Sequence, residues 1–156
     1  MSQITIRVGK PTDIANALSL VKELAIYEKA PNEVEVTEGE MQNWGFGAGK
    51  IFDFFVAEHN GKMVGMALYY YKYSTWKGKC LFLEDIIVTE EFRGHGLGSR
   101  LFEEVARVAK ESKVRRMEWQ VLDWNEPAIR FYKKYQAVLD PEWINGKLTY
   151  GQLQGF

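Results

Sequence analysis

With 156 residues, 46% of them apolar and 14% aromatic, the chain has the length of one domain (1–156) and enough apolar material for a substantial core. A formal net charge of −1 with both signs interspersed speaks against a nucleic-acid-coating protein, and a lone cysteine, Cys80, excludes an internal disulfide and a cysteine-built metal cluster. No apolar run approaches the ~20 residues that cross a bilayer, and the start Met-Ser-Gln-Ile-Thr-Ile-Arg lacks the pattern of a secretory signal, so a cytoplasmic protein without nucleic-acid or membrane partners is expected.

Ile4, Ile6 and Val8 alternate with polar residues and predict a first strand. Ile14, Leu18, Val21 and Ala25, with Ala17 and Leu24 beside them, fall at helical spacing behind the turn Pro11-Thr12-Asp13 and predict a helix over Thr12 to Glu28. Thr37-Glu38-Gly39-Glu40 fits a capping box opening a second helix that runs to about Trp44. Phe54 to Glu58 and Met63 to Tyr73 read as a hairpin turning at His59-Asn60-Gly61-Lys62. Cys80 to Val88 is almost continuously apolar, as a strand covered on both faces would be, and only Glu84-Asp85 interrupts it.

Glycines follow from Arg93 to Ser99. Leu97, Leu101, Val105 and Val108 then form the stripe of a helix, with Phe102 and Ala109 alongside. Met117 to Leu122 reads as a strand, and Asn125-Glu126-Pro127 starts a short helix through Lys134. Ala137 to Leu139 and Lys147 to Leu153 suggest two final strands. The order describes one mixed-sheet α/β domain.

Three segments carry chemistry. In Arg93-Gly94-His95-Gly96-Leu97-Gly98-Ser99 the missing side chains and the helix start together make a site for a pyrophosphate, with Arg93 adding charged donors. No Lys-Ser/Thr follows the last glycine, which excludes a nucleotide triphosphatase loop, and the glycine spacing differs from the dinucleotide fingerprint. Glu84 and Asp85 are costly inside an apolar strand unless paired, solvated in a cleft or functional. Adjacent strand residues face opposite sides, so one is expected to reach a ligand and the other an interior partner. An acidic cleft can attract a substrate ammonium, which in water loses its proton only near pH ~10.4, and accept that proton directly or through water. In the helix after Asn125, the Tyr132 hydroxyl suits proton donation to a departing thiolate.

Other conspicuous residues have plainer readings. His59 sits in a turn, and His95 is a spacer between glycines. Tyr69-Tyr70-Tyr71 reads as alternating burial with dimer contact, and Lys113, Arg115 and Arg116 as a solvated charge run.

The Arg93 to Gly98 run, with Asn125 and Tyr132 downstream, resembles the GNAT superfamily of N-acetyltransferases. Within it, Lys22-Glu23-Leu24-Ala25, Tyr27-Glu28, Gly45-Phe46-Gly47, Leu83-Glu84-Asp85 and Trp124-Asn125-Glu126-Pro127 are most similar to the spermidine/spermine (diamine) and thialysine N-epsilon-acetyltransferase branch. Tyr73 to Gly78 and Val121 to Asn125 look most like its thialysine side.

The resemblance implies a mostly antiparallel twisted sheet of six to seven strands flanked by about four helices. It implies acetyl-CoA as cosubstrate, no metal, a small primary amine as acceptor, direct transfer in a ternary complex, and a homodimer. Ile86, Ile87 and Val88 would hold the pantetheine arm, and one of their N–H groups would polarise the thioester carbonyl. Gly94, His95, Gly96, Leu97, Gly98 and Ser99, with Arg93, would cradle the pyrophosphate. Asn125, Glu126, Pro127 and Ala128 would complete the cofactor site together with Tyr132, the thiolate's acid. Tyr27, Glu28 and Glu84 would line the amine site, with Glu118, Trp119, Gln120, Trp76 and Asp85 near them.

Two positions depart from the family pattern. Gln136 stands where a glycine is usual, and Ser74 where polyamine-specific members carry an acid. A protein or peptide N-acetyltransferase on the same fold, and a non-catalytic acyl-CoA-binding module, are the competing readings.

Overall fold

The computed structural model describes residues 3–156, so Met1 and Ser2, where the leader reading begins, lie outside it. The chain forms two compact units, one up to Gln120 and one spanning Val121–Phe156.

The first unit holds a five-stranded sheet in the order β1 (Ile4–Val8), β2 (Asp53–His59), β3 (Lys62–Ser74), β4 (Gly78–Val88), β5 (Met117–Glu118). The first four strands pair antiparallel, and β5 joins β4 in parallel. Helices α1 (Ile14–Tyr27), α2 (Glu38–Phe46) and α3 (Leu97–Glu111) cover it. One sheet face brings Phe54, Val56, Met66, Leu68 and Ile87 into a core with Ile14, Ala17 and Leu18 of α1 and Met41 of α2. On α3, Leu97, Leu101, Phe102, Val105 and Ala109 are buried, which is the predicted stripe less Val108.

Local chemistry sets the element ends. Asp13 stands at the start of α1 and accepts from the Arg7 guanidinium at 2.7 and 2.9 Å and from the Lys10 N–H at 2.7 Å. The Arg7 hydrogen bond outweighs burial and holds the Asp13 carboxyl below the usual carboxylate range. Arg7 also donates to Glu58 at 2.9 Å, so β1, β2 and α1 share one ionic knot. The Thr37–Glu40 capping box forms as predicted, at 3.0 and 3.2 Å. Asn60 and Gly61 both take positive φ, as a tight hairpin turn requires.

The second unit contains α4 (Glu126–Lys133) and α5 (Tyr150–Leu153). Here the sequence expectations need correcting. Ala137 to Leu139 has no regular structure, and the segment read as a strand from Lys147 to Leu153 ends in α5 instead. Thr149 and Gln152 form a capping box there, a helix signal that outcompetes a short apolar run. The strand expected from Met117 to Leu122 is cut to two residues, and without the two tail strands the described residues hold five strands rather than six or seven. Gln136 takes φ 59°, the left-handed conformation that glycine would adopt without strain. No helix among the described residues is long and apolar enough to cross a membrane.

Candidate active site

The pairing of β3 with β4 slips at one point. Leu68 pairs with Asp85, yet Tyr69 pairs with Leu83, so Glu84 is the extra residue of a β-bulge. The bulge corrects the expectation that the two acids face opposite sides. Leu68 and Tyr70 are two apart on β3 and share a face. Asp85 lies opposite Leu68, and Glu84 Oε1 accepts a hydrogen bond from the Tyr70 hydroxyl at 2.9 Å. Both carboxylates therefore emerge on the face that carries α1.

Glu28, just past the end of α1, completes an acidic group with them. Burial, then the Glu84 charge, raises the Glu28 carboxyl above its ordinary range. Asp85 is pushed up to about 7, first by burial and then by Glu84 and Glu28. Tyr70 rises to about 12, chiefly through burial and next through its bond to Glu84. A group of acids that repel one another is relieved when a cation binds among them, so this arrangement favours an ammonium guest.

The same face continues away from the acids. The Tyr70 ring stacks on Phe82 with centroids 5.4 Å apart, and the Lys72 ammonium lies 5.6 Å from the Phe82 centroid. Lys72 donates to Glu118 Oε1 at 3.0 Å, and Arg116 Nε donates to Glu118 Oε2 at 2.7 Å. Burial works to raise the Glu118 carboxyl, but these two bonds hold it below its ordinary value. Arg116 also donates to Ser74 Oγ at 3.1 Å. That oxygen accepts the N–H groups of Trp76 and Lys77, each at 3.2 Å, and so fixes the β3–β4 turn where Trp76 stands exposed. Arg116 is thus a bridge between strands rather than part of a solvated charge run. Of its neighbours, Trp119 packs edge-on against Phe102 of α3 at 5.4 Å, and Gln120 is exposed.

The glycine loop lies beyond the other end of β4. Strands β4 and β5 pair only at Leu81–Met117 and Phe82–Glu118, so Leu83 to Val88, including Ile86 and Ile87, continue past the last β5 rung. Gly94 and Gly96 take φ of 81° and 76°, and a Cβ at either position would meet nothing within 4 Å. The first helical bond of α3 runs from the Arg100 N–H to the Gly96 oxygen at 3.1 Å, and the N–H groups of Leu97, Gly98 and Ser99 precede it. Unblocked donors at a helix start suit a pyrophosphate, and a strand edge suits an extended amide-bearing arm. The residues present fit acetyl-CoA.

Arg93 is more engaged than a free fork would be. Its Nε donates to the Val88 oxygen at 3.0 Å, Nη2 lies 3.7 Å from Glu23 Oε2, and the guanidinium sits 5.5 Å from the Tyr27 ring centroid. It ties the end of β4 to the end of α1, which presents Tyr27 and Glu28. His95 is exposed between the two glycines.

In the second unit, Asn125 caps α4, its side-chain oxygen accepting the Ala128 N–H at 3.3 Å. Glu126 and Pro127 fill the first turn. Tyr132 is the buried residue of that helix, in edge contact with Phe131 at 5.2 Å.

Sequence reasoning singled out the acids, the glycines and Tyr132 but did not name Tyr70, Lys72 and Arg116 as members of this face. The available signal was the period of two through Tyr70, Lys72 and Ser74, which puts all three on one side of β3.

The acetyltransferase (GNAT) family matches residues 20–137. A thialysine N-epsilon-acetyltransferase of Sus scrofa is 40% identical over 145 residues, covering 88% of this chain and 85% of that protein. Among solved structures, an integron cassette protein from the mobile metagenome of V. cholerae superposes with a TM-score of 0.80 at 22% identity, covering 99% of this chain and 97% of that one. An aminoglycoside N-acetyltransferase in complex with CoA gives a TM-score of 0.76 at 18% identity, covering 95% and 96%. These two likenesses speak to the fold, the mixed α/β sheet read from the sequence. The chain belongs to the acetyltransferase (GNAT) family.

Proposed function

We propose that the chain moves the acetyl group of acetyl-CoA onto the primary amine of a small cation, a lysine-like amino acid such as thialysine or a short diamine. The observation that carries this reading is the gathering of Glu28, Glu84 and Asp85 on one face of the sheet, with Tyr70 bonded to Glu84. The 40% identity to a thialysine N-epsilon-acetyltransferase supports the acceptor class. A peptide acceptor would also meet the acids, but nothing on this face favours it.

Bound acetyl-CoA supplies a thioester whose acetyl carbon accepts the amine nitrogen and whose sulfur leaves as thiolate. Gly94 to Ser99 and Asn125 to Ala128 would hold the cosubstrate, and a backbone N–H of the Ile86 to Val88 segment would polarise the thioester oxygen. Tyr27, Glu28 and Asp85 would receive the ammonium, with Trp76, Glu118, Trp119 and Gln120 around it. Glu84 takes a proton from that ammonium, directly or through water, and frees the lone pair that forms the C–N bond. Tyr132 gives its proton to the departing thiolate, and the second proton shed by the nitrogen as it becomes an amide returns to Tyr132 through solvent. In this reading the two compact units work as one catalytic domain, and the protein is a cytoplasmic homodimer.

The test is thiol release from acetyl-CoA with thialysine, lysine, ornithine, putrescine, spermidine, a short lysine peptide and a no-amine blank. Turnover with a small amine that collapses in Glu84→Gln is expected. Release at the blank rate with every acceptor, by protein that still binds acetyl-CoA, would replace this reading with that of a binding module.

A further inference from the structure

The acidic group is one end of a polarised row. Along the same sheet face stand Glu84 and Asp85, then the stacked rings of Tyr70 and Phe82, then Lys72 and Arg116 sharing Glu118. Two cations on one carboxylate leave that end net positive, opposite in sign to the acids. Lys72 and Arg116 are both partly open to solvent, at 40% and 38% side-chain exposure, so each can meet a ligand.

We infer that Lys72 and Arg116 form a carboxylate-recognition end, which makes the acceptor a zwitterionic amino acid with a terminal side-chain amine rather than a diamine. The inference deepens the proposed function and rests on it. The scale agrees. Tyr70 and Lys72 are one i to i+2 step apart, and with the width of the Phe82 ring the two ends stand on the order of 7–10 Å apart. A lysine-length amino acid places about 7–8 Å between its side-chain nitrogen and its carboxylate carbon, six bonds of ~1.5 Å in a zigzag. The aromatic floor between the ends suits the methylene or thioether chain. A diamine would instead lay its second ammonium against Lys72 and Arg116. Ser74 adds no charge of its own and hydrogen-bonds Arg116 at 3.1 Å, holding the guanidinium at this end of the row.

The experiment compares thialysine with the diamine left when its carboxylate is removed, a pair of equal length. Both are assayed with the wild type, Arg116→Gln and Lys72→Gln, and thermal unfolding is recorded for each protein. Wild-type kcat/KM is expected to favour the amino acid. Each substitution should lower kcat/KM for the amino acid ~10-fold, through KM with little change in kcat, and should raise it for the diamine. An amino-acid-to-diamine ratio that neither substitution moves, or equal losses on both substrates, overturns the inference while leaving the proposed function standing. If neither compound is acetylated, the inference falls, and the proposed function falls with it only when the other amines of the panel also give the blank rate. Should Arg116→Gln unfold, Lys72→Gln decides by the same ratio, because Lys72 does not bind Ser74.

Discussion

The Tyr70 hydroxyl donates to Glu84 Oε1 at 2.9 Å beside the point where β4 carries one residue more than β3. The bulge aims the carboxylate and the phenol holds it. Tyr70→Phe keeps the ring on Phe82 and removes only that bond, which in a partly exposed setting is worth ~1 kcal/mol. The expected result is a kcat/KM about fivefold lower with a melting temperature lower by only about 2–4 °C. An undiminished kcat/KM would show that Glu84 needs no such support.

Asp85 gives a pH signature in stability. Its carboxyl lies near 7 in the folded chain, against an ordinary value of 3.8. Between those values the folded state binds more protons than the unfolded one, so stability falls as pH rises through this window. Asp85→Asn removes the titration. The variant should gain on the order of 1–3 kcal/mol at pH 8 and little at pH 4, after allowance for solvent screening. Denaturant melts at the two pH values test this, and a slope parallel to that of the wild type would contradict it.

The loop glycines should matter through backbone conformation. Gly94 and Gly96 have positive φ, and a Cβ on either meets open space, so alanine brings strain of ~1–2 kcal/mol without a clash. Gly94→Ala and Gly96→Ala are expected to raise KM for acetyl-CoA about tenfold, with a smaller change in KM for the amine. Equal effects on both substrates would argue for general disruption.

Tyr132→Phe separates binding from proton transfer. Turnover should fall by ~10² or more, while calorimetry finds acetyl-CoA affinity within about twofold of wild type. Unchanged turnover removes Tyr132 from the mechanism.

Gln136 offers a gain. A non-glycine residue at φ 59° carries strain of roughly 1 kcal/mol, so Gln136→Gly should stabilise the chain by up to ~0.5 kcal/mol, net of the extra entropy of the unfolded state. Chemical denaturation would register the shift, and a loss of stability would mean the glutamine side chain contributes contacts of its own.

Much of this was legible in the residue order, for identifiable reasons. Helices α1 and α3 show apolar residues at helical period over many turns, and the capping box at Thr37 and the turn at Asn60-Gly61 are local chemistry. The acids and glycines stood out because an apolar strand and an amphipathic helix frame them. The bulge at Glu84 left no trace, since it is a mismatch between two strands and neither strand alone records it. Lys72 and Arg116 sit 44 positions apart and become one charged end only when β3, β4 and β5 lie side by side. The tail misled because runs such as Ala137 to Leu139 are too short to display a period.

The division of the chain at Gln120 also orders its synthesis. The acids, the aromatic floor and the basic end all belong to the part translated first, and their strands β2, β3 and β4 are joined by short turns. Loops that short close at little entropic cost, so this hairpin ladder can zip on the ribosome while Val121–Phe156 is still being synthesised. On that timetable the sheet face that carries Glu84, Asp85, Lys72 and Arg116 can form before Tyr132 has been added to the chain.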